Sequence, residues 1–142
     1  MTTQNAKTGY AFNTTRQAFL ASQLRCADSH LSRLMGLMGT PPEALASGSG
    51  LWIVPCHGVH TFGMRYPIDL VYLNDKYEVV HTEENVKPWR VAALRLEAAT
   101  VLELSPHTVF QTGTCVGDKI EIRMGAEATS PGQADQPQGV AS

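Results

Sequence analysis

Clustered positive charge is what this sequence most plainly lacks. Its 142 residues carry 11 Lys and Arg against 13 Asp and Glu, a formal charge of -2, and no stretch concentrates the basic ones. Phosphate backbones are held by grouped Lys and Arg, so nucleic acid is not an expected partner. Long apolar runs are missing too. Nothing approaches the roughly 20 residues that span a bilayer, and the opening MTTQNAKTGYAFNTTRQ has no apolar core of the kind an export signal needs. The expectation is a cytoplasmic protein with no membrane partner. Cysteine is scarce: Cys26, Cys56 and Cys115 form no CxxC and leave one thiol over in any disulfide scheme, so all three are read as reduced.

What remains is the composition of one soluble globular domain, with 43% hydrophobic and 17% charged residues. A chain of this length buries about two thirds of its unfolded surface, enough for a single core. Residues 1–9 are polar without pattern, and 125–142, GAEATSPGQADQPQGVAS, hold almost no large apolar groups. Neither end can offset its ordering entropy by burial, so both are expected to be disordered around a domain at 10–124.

Within that domain FLASQLRCA (19–27) alternates imperfectly as a strand. In DSHLSRLMGLMG, Leu31, Leu34, Met35 and Met38 fall at i, i+3, i+4 and i+7 behind an Asp28 or Ser29 cap, which predicts a short amphipathic helix ending at Gly39. Its methionines read as core. TPPEALASGSG is a loop with a helical turn after Pro42, and LWIV (51–54) a buried strand. IDLVYL, NDK and YEVVHTE make a strand, tight turn and strand, the clearest hairpin in the chain. VLEL (101–104) and KIEIRM (119–124) are further strands, and SPHTVFQTG between them makes one or two helical turns from a Ser105 cap. The fold class expected is α+β, mostly β: a compact, partly closed β-barrel-like sheet with a few short helices.

Most of the chemistry lies in PCHGVHTFGMRYPID, Pro55 to Asp69. If this stretch is extended, Cys56, His60, Phe62 and Met64 share one face, though a bulge at Gly58 or Gly63 would change that parity. Three readings compete. Cys56, His60 and Met64 form a soft set suited to copper or zinc, but a lone Cys-x3-His falls short of four ligands at a recognised spacing. Alternatively, Asp69 and His60 form an acid-base pair in a hydrolase-like site with Cys56 as a possible nucleophile. Asp69 interrupts an apolar run where an unpaired carboxylate is costly to bury, so it needs Arg65, His60 or a backbone turn as partner. The third reading is structural, with Cys56, Phe62 and Met64 in the core. Elsewhere, Trp89 beside Arg90 in NVKPWRV reads first as a lid on one end of the barrel and second as an interface anchor. TGTCVGDKIEI reads as turn chemistry in which Cys115 has no basic neighbour but Lys119.

Taken in order, SRLMGLMG, GLWIVPCHGVHTFGMRYPIDLVYLN, VKPWR, TVLELSPHTV and GTCVGDKIEI resemble the conserved bacterial and archaeal family known as domain of unknown function 192. The resemblance spans about residues 16–123. It implies a β-rich single domain and carries over no activity, substrate or cofactor.

The expected protein is therefore a monomeric, noncatalytic binding or accessory module for a small polar ligand or a protein partner. Its expected binding residues are Arg33, Cys56, His60, Met64, Arg65, Asp69, Trp89 and Arg90, with no cofactor. The alternatives are soft-metal binding through Cys56, His60 and Met64, or a hydrolase-like enzyme using Asp69 and His60.

Overall fold

The computed structural model describes residues 8–27, 46–125 and 131. Among them are seven strands and one short helix: β1 (Thr8–Asn13), β2 (Ala18–Ala27), β3 (Ser49–Ile53), β4 (Ile68–Leu73), β5 (Val79–Val86), β6 (Thr100–Leu104), α1 (Thr108–Thr112) and β7 (Ile120–Met124). All seven join one sheet in the order β5-β4-β6-β3-β2-β1-β7. Only β2 and β3 run parallel; the other neighbours are antiparallel.

The sheet curls until its two edges meet at one end. There a bridge pairs Glu78 with Lys119, and the Val79 N–H donates to the Asp118 carbonyl at 2.9 Å. The curl separates two apolar sets. Leu20, Leu24, Val71, Leu73, Val79, Leu102, Leu104, Val109 and Ile120, drawn from strands on both sides of the sheet and from α1, fill the concave side. Leu51, Ile53, Ile68, Leu70, Tyr72 and Val101 face the other way, packed with Met64 and Ala92 from the connecting segments. Every residue of β4 and of β6 is buried. Strands covered on both faces need continuous apolar sequence, which is why IDLVYL and TVLEL do not alternate.

The mostly β, partly closed barrel expected from the sequence is the fold observed. The hairpin stands with β4 and β5, its turn organised by Asn74, whose Oδ1 accepts the N–H groups of Lys76 and Glu78, each at 2.9 Å. β1 was not expected: YAFN is too short to show a period, and the strand is held by pairing with β2 and β7 on either side. Gly9 is required there, because a Cβ would overlap the Arg123 carbonyl oxygen across the β1/β7 pair. The expected helix at 28–39, the turn after Pro42 and Arg33 all lie outside the described residues, as do most of the two expected tails.

Candidate functional site

Residues 56–66 do not form a regular strand. A single bridge links His60 to Val91, and around it two segments run side by side. The Arg95 N–H donates to the His57 carbonyl at 2.8 Å, Ala92 to Val59 at 3.0 Å, and Thr61 to the Arg90 carbonyl at 2.8 Å. Gly58 permits this approach: a Cβ there would come within 3.1 Å of the Ala93 carbonyl oxygen and 3.4 Å of Leu94 Cα. Gly63, at φ 79°, then turns the chain so that the Met64 N–H reaches back to the Thr61 carbonyl.

Thr61 pins the two segments together. It is fully buried and all its polar groups are used. Its hydroxyl donates to the Lys87 carbonyl at 2.6 Å and accepts the Arg90 N–H at 2.8 Å, while its carbonyl takes the Trp89 N–H at 3.0 Å. Trp89 is thereby held in the left-handed region, at φ 63°.

This turn breaks the expected line of ligands. Met64 is buried in the outer core, with Cys56 packed against the same cluster and its thiol donating to the Gly58 carbonyl at 3.1 Å. His60 instead points outward. Its Nδ1 accepts the Phe62 N–H at 3.3 Å, and its ring lies 4.9 Å from that of Phe62. Among the described residues no three His, Cys, Asp or Glu side chains gather as a metal site.

Asp69 is fully buried and takes its partners from backbone. Oδ1 accepts the Asn85 N–H at 2.8 Å and Oδ2 the Val109 N–H at 2.9 Å. The second bond supplies the cap that α1 lacks. His107 occupies the cap position at φ 73° without a side-chain bond, and the helix begins at Thr108, three residues past the Ser105 expected to cap it. Of the partners weighed for Asp69, backbone is the one observed; it forms no hydrogen bond with His60 or Arg65.

On the outside the two segments present a ridge. Phe62 stacks on Trp89 with centroids 6.1 Å apart and planes at 27°. Trp89 is 65% exposed, Val91 74%, Leu94 69% and Leu96 76%. Trp89 therefore does not cover an end of the barrel. Arg65, Lys87, Arg90 and Arg95 stand exposed among these groups. Of the expected binding residues, His60, Arg65, Trp89 and Arg90 are exposed on these two segments, Cys56 and Met64 pack in the core cluster behind them, and Asp69 is buried on the other face of β4, against α1.

Three polar groupings were not anticipated. Tyr72 Oη lies 2.7 Å from the Ala93 carbonyl and 3.1 Å from Glu83 Oε2, which also accepts the Ala93 N–H at 2.9 Å, so the 91–95 segment is tied to the sheet. Burial, then the Glu83 carboxylate, push the Tyr72 phenol above its usual range. At the closed end, Cys115 has a basic neighbour after all: Arg16 donates to its sulfur at 2.6 Å and to Asp118 Oδ2 at 3.0 Å. Burial alone would raise the Asp118 carboxyl, but hydrogen bonds from Arg16, Asn13 and the Cys115 N–H outweigh it and hold it below the usual carboxylate range. Glu103 sits on β6 between Leu51 and Leu70, with Oε2 buried and unpartnered among the described residues. Its burial pushes the carboxyl up to about 8.

Comparison with known proteins agrees with this architecture. The family model DUF192, described as "Uncharacterized ACR", matches residues 11–122. A UPF0127 protein of Pyrococcus furiosus is 28% identical over 114 residues, covering 77% of this chain and 94% of its own. Another, from Pyrococcus horikoshii, is 29% identical over 86 residues, covering 57% of this chain and 70% of its own. A Novosphingobium aromaticivorans crystal structure of a protein of unknown function superposes with TM-score 0.67 at 17% identity, covering 81% of this chain and 83% of that one. That last likeness is one of fold.

Proposed function

The chain belongs to the DUF192 family, and from the geometry of this member we propose that it is a noncatalytic docking module engaging a protein partner through the ridge of 57–66 and 87–97. One observation carries the reading: five of the large apolar side chains that stand exposed, Phe62, Trp89, Val91, Leu94 and Leu96, fall in these two paired segments. Scattered exposed apolar groups need no explanation, whereas a contiguous patch marks an interaction surface. Its composition also fits, since Trp and Arg at the centre of a patch are the side chains that most often carry interface energy. A small polar ligand is less well served, because Trp89, Val91, Leu94 and Leu96 stand 65–76% exposed where such ligands are enclosed by the side chains that line their site.

The test is a photo-crosslinking amino acid placed at Val91 and, as control, at exposed Gln111 on α1, in the full chain expressed in its own cells. The expected result is a discrete protein adduct from position 91 that disappears with Trp89→Ala, and none from position 111. Adducts of equal yield from both positions, or none from position 91, would refute the docking role.

A further inference from the structure

Resting on that docking role, we infer that the partner offers the ridge an acidic segment that also carries apolar side chains. The two segments of the ridge hold four of the chain's 11 Lys and Arg residues, Arg65, Lys87, Arg90 and Arg95, and one of its 13 Asp and Glu, Glu97; a second carboxylate, Glu83 of β5, reaches the ridge but is engaged by the Ala93 N–H and Tyr72. A molecule of net charge -2 thus turns a cationic face outward at the place where it is most apolar.

None of the four cations is in an ion pair among the described residues; the arginines that are paired, Arg16 with Asp118 and Arg123 with Glu121, lie elsewhere. An interface that covered them with apolar groups alone would strip their hydration and return nothing, whereas carboxylates return a charge-assisted hydrogen bond for each cation covered. The cations are also interleaved with the apolar groups, as Trp89-Arg90-Val91 and Leu94-Arg95-Leu96. An occupant must therefore bring carboxylates and apolar side chains on the same face, which an extended peptide does when acidic and apolar residues come in successive pairs, because alternate side chains share a face.

Two other anionic classes fit less well. A nucleic acid supplies phosphates but no aliphatic groups to cover Val91, Leu94 and Leu96. An anionic bilayer carries its phosphates in one layer above its apolar interior, whereas the cations here are interleaved with apolar groups along the segment, as Trp89-Arg90-Val91 and Leu94-Arg95-Leu96.

Two measurements test this and separate it from the docking role itself. The first identifies by mass spectrometry the partner segment crosslinked to position 91. A net-negative segment containing Leu, Ile, Val or Phe is expected; a neutral or basic one overturns the inference and leaves docking standing, and no adduct at all removes both. The second uses fluorescence anisotropy with a labelled short peptide of repeating Glu-Glu-Leu-Leu, which places both residue types on each face when extended, its Lys/Leu and Glu/Ser counterparts, oligothymidylate, and phosphatidylcholine–phosphatidylglycerol vesicles. The Glu/Leu peptide should bind at least about tenfold more tightly than every other probe. Its affinity should fall about tenfold as salt rises from ~0.05 to ~0.5 M, and should vanish in the R65Q/R90Q/R95Q variant, checked for unchanged folding by circular dichroism. Equal binding of the Lys/Leu peptide, or equal or tighter binding of vesicles or oligonucleotide, overturns the inference.

Discussion

Glu103 is carried in the middle of the sheet at a cost that pH can read. It lies on β6, flanked in register by Leu51 of β3 and Leu70 of β4, and is 3% exposed with no hydrogen bond to Oε2 among the described residues. Burial raises its carboxyl from 4.5 to about 8, so the folded protein holds the proton where the unfolded chain has released it. Below about pH 4.5 both states are protonated and the group costs nothing through ionisation. As pH rises from there to about 8, each unit removes up to about 1.4 kcal/mol of stability. The loss is under about 1 kcal/mol at pH 5 and about 3 kcal/mol at pH 7.

Glu103→Gln keeps the shape and cannot ionise. Urea unfolding of both proteins at several pH values should show the wild type losing roughly 2–3 kcal/mol relative to the variant between pH 5 and pH 7. Taking the difference between the two curves cancels every ionisable group the two proteins share. Parallel curves across that range, or a Glu103 carboxyl resonance that titrates near 4.5, would refute the reasoning.

Two further outcomes follow from the same side-chain geometry. Asp69→Asn replaces one of two acceptor oxygens with an amide that faces a backbone N–H, so unfolding free energy should fall by about 1–3 kcal/mol, with loss of protection from hydrogen exchange at Val109 or Asn85; an unchanged midpoint would show that these bonds contribute nothing. Met64→Ala should cost about 2–5 kcal/mol as a core truncation, while His60→Ala, at an exposed ring, should cost under about 1 kcal/mol; the reverse order in thermal unfolding would mean the burial of these residues is misassigned.

The sheet was legible because its strands are runs of apolar residues closed off by turn chemistry, and the 74–78 hairpin announced itself through Asn74. β1 was not, since its short sequence gains strand character only from pairing with β2, the next strand, and with β7 at the far end of the sheet-forming sequence. The stretch 55–69 was recognised as the informative one, but its parity was unreadable: Gly58 and Gly63 decide where the backbone turns, and that decision depends on a partner segment more than 25 residues away, as the Thr61 contacts to Lys87 and Arg90 show. Glu103 could have been found. It interrupts VLEL as Asp69 interrupts PIDLVYL, and the argument that an apolar run makes a carboxylate conspicuous applies equally to both. The pairing of Arg16 with Cys115, 99 positions apart, leaves no such local trace.

The contrast between the two buried acids also separates scaffold from surface. Asp69 accepts one bond at each oxygen from a backbone donor and so fixes α1 and the end of β5 against β4, at a site with no exposure to solvent. Thr61 does the same for the ridge, using every polar group to hold Trp89 and Arg90 in place before anything binds. Ordering side chains and loops adds to the cost of binding, so a surface ordered in advance retains more of its contact energy. A segment with no regular secondary structure that is nonetheless hydrogen-bonded at each step to a second one, and that ends in exposed aromatic and cationic side chains, has the form of a rigid presentation surface.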